Sequence, residues 1–423
     1  METENFSKKQ ISVLINAYAV SPNWGSEPGM GWNWVINLAK YCNVFIITEG
    51  EWKNEIEEAV GKLPQKANLH FFYNPVSEKI RKMCWDQGDW RFYWYYRKWQ
   101  KRTFEIAKKI CCGYKIDVIH QLNMIGFREP GYLWKIKDIP FVWGPVGGME
   151  LTPAAYFKDT PLKMRLFLQL KNKVNDWQRK HSSRVCKAIH RASCVIAATS
   201  KVAEFIRDYH GKEVITINET GCYPIDIETE KRNDRDKETF DLLWVGRIGL
   251  YTKQLGLALK SIAKTKNLQK LKFHIVGNGL ETEMDHYKLM AKELGIDSIC
   301  QWYGLIPNNE VLTLMRHMDL MLFTSIMEAT STVVLEAMQT GLPVISFDTC
   351  GFGPIVKEFG GVTILLTNPE QSIRDFADVL NNLECDRDKL VAMRREIANN
   401  RNTLTWEYKT KYVSNLYFKA INQ

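Results

Sequence analysis

Residues 241–276, DLLWVGRIGLYTKQLGLALKSIAKTKNLQKLKFHIV, decide the architecture. An apolar run, DLLWV, leads into Gly246, leucines and alanines at helical spacing fill residues 253–265, and a second apolar run occupies 271–276. Strand-length apolar runs alternating with helical periodicity mark β-α-β units and a parallel sheet. The alternation continues toward the carboxyl end with helix 281–294, closed by Gly295, and helix 310–318. Strand 319–323, helix 332–340 with Gly341 behind it, and strand 343–347 follow. Glycine just past the last helical residue is a common stop.

Working backward, residues 226–240 are charged and lack apolar period, which reads as a linker. A second alternation precedes it: strand 11–17 (ISVLINA), a Gly/Pro loop over 21–31, helix 32–40 and strand 44–48. Strands follow at 117–120, 140–143 and 193–198. Past residue 402, apolar residues at helical spacing, among them Trp406, Tyr412, Leu416 and Phe418, predict a terminal helix. The expected fold is α/β, with two doubly wound Rossmann-like domains facing across a cleft: 1–225, a linker at 226–240, 241–402, and a terminal helix over 403–423. No internal repeat is visible, so the halves share a plan and not a sequence. Ligands of such sheets bind beyond the carboxyl ends of the strands.

With 423 residues, 45% hydrophobic and 25% charged, the chain falls among globular proteins of two or three domains. No apolar stretch approaches the roughly 18 residues that a spanning helix needs. The amino terminus, METENFSKKQ, lacks the apolar core of a secretory signal. The ten cysteines are scattered, without a C-x-x-C pair. The expectation is a cytoplasmic protein with reduced thiols, lying free or peripherally on the inner face of the cell membrane. A net charge of +9 favours anionic partners: phosphorylated ligands, acidic lipid or nucleic acid.

The chemistry gathers in EATSTVVLEAMQTGLPV, residues 328–344. Glu328 falls in the loop after strand 319–323, and Glu336 lies one turn inside the next helix. Alone, such a pair reads as a loop carboxylate and a solvated helical one. Three neighbours change that. Ser331 is placed to cap the helix, so the amides near Thr332 and Val333 are free to meet an anion. Arg247, just after the apolar run DLLWV, and Lys253, at the opening of the next helix, can neutralise a diphosphate. A carboxylate beside that cluster can accept hydrogen bonds from sugar hydroxyls, and another can hold both hydroxyls of a ribose.

These segments resemble the retaining GT-B glycosyltransferases, specifically the glycogen-synthase-like family four. The resemblance rests on WVGRI with Lys253 downstream, HIVGNGLE, WYGLIP, DLMLFTS, and the two glutamates eight residues apart followed by LEAMQTGLPVI. In the first half it rests on SPNWGSEPGMGWNWVINLAK, HQLNMIGFREPGYLW and PFVWGPVGGMELTP. The resemblance implies that Arg247 and Lys253 hold the donor diphosphate, Glu336 the ribose and Glu328 the transferred sugar. The amides at Ser331, Thr332 and Val333 would bind phosphate, and the loop Gly304, Leu305 and Ile306 would meet the base. Gly29 and Met30 would approach the diphosphate from the first domain. Met30, Ala329 and Ser331 stand where glycines are common in the family.

His120 has two readings: the histidine the family often places near the reacting carbon, or a core-edge histidine with its ring nitrogens satisfied. The family position falls two residues further on, at Leu122. The implied donor is a nucleotide-diphosphate sugar, UDP first among the nucleotides, with no separate cofactor and no metal. The D-x-D triplets at Asp234 to Asp236 and Asp386 to Asp388 lie in charged stretches without a preceding strand and read as chance. The implied acceptor is a saccharide or lipid-linked saccharide of surface polysaccharide synthesis. Gly277 and Gly279 suggest a dinucleotide fingerprint, but Thr282 breaks it. Segment 79–102 and, with fewer aromatics, 157–191 mix bases and rings. They read as a solvated helix face, an anionic membrane contact, or, last and against expectation, a nucleic-acid contact. The rival functions are another GT-B sugar-nucleotide enzyme, such as an epimerase or phosphorylase-like enzyme, and a basic lipid- or nucleic-acid-binding protein.

Overall fold

The structure is a computed structural model and describes residues 10–85, 89–157, 160–225 and 238–422. The chain divides into two compact units: residues 1–150, 174–219 and 406–423 form the first, and residues 151–173 and 220–405 the second.

The first unit holds a fully parallel sheet ordered β3-β2-β1-β4-β5-β6-β7. Its strands are β1 (Ser12–Ala17), β2 (Asn43–Thr48), β3 (Leu69–Tyr73), β4 (Val118–Asn123), β5 (Phe141–Val146), β6 (Cys194–Ala197) and β7 (Val214–Thr216). The central strands are apolar without alternation because both faces are covered, as parallel sheets require. Val13, Ile15, Val44, Ile46 and Val118 point to one face, where they meet Trp34, Trp406 and Tyr417. Leu14, Phe45, Ile119 and Phe141 point to the other, toward Ala107, Ile110 and Val185.

The second unit's sheet is also parallel, ordered β10-β9-β8-β11-β12-β13. Its strands are β8 (Phe240–Val245), β9 (Leu271–Val276), β10 (Cys300–Gly304), β11 (Leu320–Phe323), β12 (Val344–Phe347) and β13 (Val362–Ile364). Chain order reverses between β1 and β4 in one sheet and between β8 and β11 in the other. At such a switch point the connections leave in opposite directions and open a crevice.

Several expectations need adjusting. The first helix runs Ser26–Leu38, six residues earlier than its sequence start at Trp32. Pro28 lies in its first turn, where a missing amide costs nothing, so the apparent Gly/Pro loop is helix. The helix after β8 is shorter than 253–265: it spans Leu255–Ile262, because Gln254 adopts a left-handed conformation with φ of 53° and holds Lys253 in a turn outside it. WYGLIP is not all loop; its first residues complete edge strand β10. Of the linker at 226–240, residues 226–237 lie outside the described residues, and Phe240 opens β8. The terminal helix, Trp406–Ile421, packs in the first unit, its Trp406 ring edge-on to Trp34 with centroids 5.7 Å apart.

Candidate functional site

In the second unit the loops leaving β8, β9 and β10 are laced by backbone hydrogen bonds. The Gly246 amide donates to the Val276 carbonyl at 3.0 Å, Ile248 to Asn278 at 2.8 Å, and Gly277 to Gly304 at 2.8 Å. Gly277 permits this: its φ is 141°, and a Cβ there would strike the Gly246 carbonyl oxygen. The glycines of HIVGNGLE thus serve close backbone approach, which accounts for them without a dinucleotide. Gly304 is drawn against Gly277, with Leu305 exposed and Ile306 half-buried beside it.

The second lacing joins the turn after β8 to the loop after β11. The Ile326 amide donates to the Thr252 carbonyl at 2.9 Å. Thr324 Oγ1 accepts from Trp244 Nε1 at 3.1 Å and donates to the Lys253 carbonyl at 2.8 Å. With its backbone so fixed, Lys253 places Nζ on Glu328 Oε1. Ser325 Oγ donates to the same oxygen at 2.7 Å, and the Glu328 amide points at Cys350 Sγ, 3.3 Å away. Both members of the ion pair are 17% exposed, so the pair faces the crevice without being sealed from it. Glu328 Oε2 has no hydrogen-bond partner among the described residues and remains open to a hydroxyl donor.

The helix Thr332–Gln339 begins directly after this loop. Ser331 occupies the N-cap position with extended backbone, but its side chain makes no capping bond. The Val334 and Leu335 amides turn back to the Ser331 carbonyl at 3.1 and 3.4 Å. Those of Thr332 and Val333 have no acceptor among the described residues. These bare amides lie at the positive end of the helix, where an anion is favoured. Glu336, one turn in, accepts from Asn308 Nδ2 at 3.0 Å. Its pKa is raised because burial outweighs that bond. Arg247 is exposed just beyond β8 and makes no hydrogen bond or ion pair among the described residues.

The structure therefore brings Lys253 and Glu328 into contact at the β8/β11 switch point, with the start of helix Thr332–Gln339 following, and links Glu336 to the segment after β10. Ser325, Thr324, Cys350 and Asn308 were missed from sequence. Ser325 and Thr324 stand inside the DLMLFTS motif, whereas nothing in sequence signals Cys350 or Asn308.

Gly29, Met30 and His120 belong to the first unit. Gly29 and Met30 lie in the first turn of helix Ser26–Leu38, both buried, with the Met30 side chain in the core. A Cβ on Gly29 would strike the Trp24 carbonyl oxygen. His120 is wholly buried, its Nε2 2.6 Å from the Gly144 carbonyl and its Nδ1 2.6 Å from the Tyr417 hydroxyl. A carbonyl only accepts, so Nε2 carries the proton and Tyr417 donates to Nδ1. Burial pushes the imidazole pKa down to about 4, partly opposed by the bond to Gly144. Of the two readings of His120, this geometry supports the satisfied core histidine.

Sequence reading also missed Glu27, at the β1/β4 switch point. Its Oε1 accepts from the Ile125 amide at 3.2 Å, while Oε2 is buried without a partner. Burial raises its pKa to about 7; the Ile125 bond opposes this and the charge of Glu219 adds to it. Asp234 to Asp236 lie outside the described residues, and Asp386 precedes helix Arg387–Asn400, paired with Lys389 at 3.2 Å.

The family model described as glycosyl transferases group 1 matches residues 226–401. A D-inositol 3-phosphate glycosyltransferase from Corynebacterium kroppenstedtii is 27% identical over 147 residues, 35% of this chain and 32% of that protein. A lipopolysaccharide 1,6-galactosyltransferase from Salmonella typhimurium is 32% identical over 151 residues, 35% of this chain and 40% of that protein. The match thus spans about a third of these relatives' length. Among solved structures, Anabaena Alr3699/HepE, crystallised with UDP and glucose, superposes with a TM-score of 0.58 at 15% identity over 97% of this chain and 100% of that one. Residues 226–401 thus match the glycosyl transferases group 1 family model, and the chain's fold is GT-B.

Proposed function

We propose that the chain is a retaining, metal-independent hexosyltransferase that moves a sugar from a nucleoside-diphosphate donor, UDP first, to an acceptor hydroxyl. The observation that carries this reading is the Lys253–Glu328 ion pair at the β8/β11 switch point, beside the bare amides of Thr332 and Val333. Lys253, Arg247 and those amides suit a diphosphate, Glu336 suits the ribose hydroxyls, and the open Oε2 of Glu328 suits a sugar hydroxyl. Gly304, Leu305 and Ile306 line the approach of the base. UDP and glucose in Alr3699/HepE and the galactosyl specificity in the Salmonella enzyme's name favour a UDP-hexose.

In the reaction the bond from the anomeric carbon to the diphosphate oxygen breaks, and a bond to the acceptor oxygen forms on the same face. The acceptor's proton passes to the leaving phosphate. Negative charge grows on the diphosphate as the sugar becomes cation-like, and pre-placed cations and amides stabilise it without reorganising. Loss of one such contact costs about 3 kcal/mol, roughly a hundredfold in rate. The acceptor is a saccharide or lipid-linked saccharide of surface polysaccharide, and the chain works on the cytoplasmic face of an anionic membrane.

Incubation with UDP-glucose or UDP-galactose and glucose- or galactose-terminated oligosaccharides, free and lipid-linked, tests this. Acceptor-dependent UDP release with an α-linked product is expected, lowered about a hundredfold in Lys253→Ala. Epimerised donor without transfer would favour the epimerase alternative, and no turnover of any donor would leave a binding protein.

A further inference from the structure

The helix Leu162–His181 is built inside out. Its inward face is polar apart from Leu168, which is buried. Asn172 donates to the Thr152 carbonyl at 2.9 Å and accepts from the Thr152 amide at 3.0 Å. Asn175 donates to the Gly148 and Glu150 carbonyls at 3.2 and 3.1 Å and accepts from Arg128 at 2.6 Å. Gln178 accepts from Arg128 at 3.1 Å.

The outward face carries Leu166, Phe167, Leu170, Val174 and Trp177, whose positions fall on one side of a 3.6-residue helix. Leu166 and Phe167 are each 58% exposed, and Leu170 and Trp177 each 62%. A helix on the surface of a globular protein normally carries the reverse pattern, apolar inward and polar outward. Burial does not explain these side chains, and a contiguous apolar stripe in water marks a contact surface.

The rim of the stripe narrows what it contacts. Lys163 and Lys173 are exposed alongside it. The helix's one carboxylate, Asp176, is already held by Arg179 at 2.6 Å and Lys180 at 2.8 Å. An apolar stripe edged by long cationic side chains matches the boundary between acyl chains and anionic headgroups. Segment 79–102, the stronger candidate from sequence, divides its rings: Phe92, Tyr96 and Trp99 are buried around Tyr18, while Trp85, Trp90, Tyr93 and Trp94 are exposed.

We propose that helix Leu162–His181 lies in the interface of an anionic lipid bilayer, with Leu166, Phe167, Leu170, Val174 and Trp177 among the acyl chains and the lysines at the phosphates. The proposal rests on the membrane part of the reading above and names its contact. Binding is measured without any sugar nucleotide, so its failure leaves the transfer reading standing.

The full chain is sedimented with vesicles of equal parts phosphatidylglycerol and phosphatidylcholine, and with phosphatidylcholine alone. Binding to the anionic vesicles that weakens with salt is expected. It falls about tenfold or more in the double variant Leu170→Glu/Trp177→Glu, and about fivefold for each of Lys163→Glu and Lys173→Glu. All four side chains are exposed, and unchanged thermal unfolding of each variant confirms an intact fold. No binding to anionic vesicles, equal binding to phosphatidylcholine alone, or full binding by the double variant overturns the proposal. So does a concentration-dependent dimer that Leu170→Glu dissolves, since the stripe would then be covered by a second copy.

Discussion

Glu27 Oε2 and the His120 ring are both buried in the first unit, and burial favours the neutral form of each group. His120 loses its charge to burial but keeps both ring nitrogens in hydrogen bonds, so it is content as a neutral ring. Glu27 keeps one oxygen unpaired, so burial penalises its ionised form with little recompense. With a folded pKa of about 7 against an ordinary value of 4.5, Glu27 contributes stability that is fully present below about pH 4. As pH rises, the unfolded chain ionises first, and the contribution is lost on the way through 7. The loss amounts to at most about 3 kcal/mol. Denaturant unfolding of the wild type and Glu27→Gln at about pH 5 and about pH 8 checks the sign. The variant should gain on the wild type at the higher pH, and parallel curves would contradict the assignment. Sequence alone left His120 between two roles because its strand position is legible while its partners are not. Tyr417 lies 297 residues away.

At the scale of elements, each sheet carries a carboxylate where chain order reverses: Glu27 between β1 and β4, Glu328 between β8 and β11. The strands next to these points were legible because they are buried on both faces and read as uninterrupted apolar runs. β3, β7, β10 and β13 escaped notice; all lie toward or at sheet edges, β10 is largely half-buried, and two of the others hold only three residues. The positions of the candidate site residues were legible in the same measure. Glu328, Glu336, Lys253 and Arg247 sit at ends of readable elements, whereas Cys350 and Asn308 arrive from segments whose loops give no periodic signal. The start of helix Ser26–Leu38 was misplaced because proline and glycine usually punctuate loops. Here Gly29 is needed for contact with the Trp24 carbonyl, so Gly29→Ala should cost about 1–3 kcal/mol in denaturant unfolding through backbone displacement. A neutral or stabilising substitution would show that the helix begins later than Ser26.

For the whole molecule, neither unit is continuous in sequence. The first recovers its last element from the carboxyl end of the chain, and the second takes residues 151–173 from the amino-terminal half. The terminal helix was readable from the helical spacing of Trp406, Leu416 and Phe418, but the placement of 151–173 depends on contacts that no local pattern reveals. Trp406 is 3% exposed and edge-on to Trp34, so Trp406→Ala should destabilise the first unit by about 3–5 kcal/mol. Thermal unfolding measures this, and a shift confined to the second unit's transition would contradict the packing. The proposed activity rests on the second unit's switch point. Calorimetric titration of UDP, GDP and ADP into the wild type and Lys253→Ala tests it most directly. UDP is expected to bind the wild type, with the variant weaker by about tenfold or more, the worth of one charge-assisted contact to a diphosphate. No binding of any of the three, or equal affinity in the variant, would contradict it.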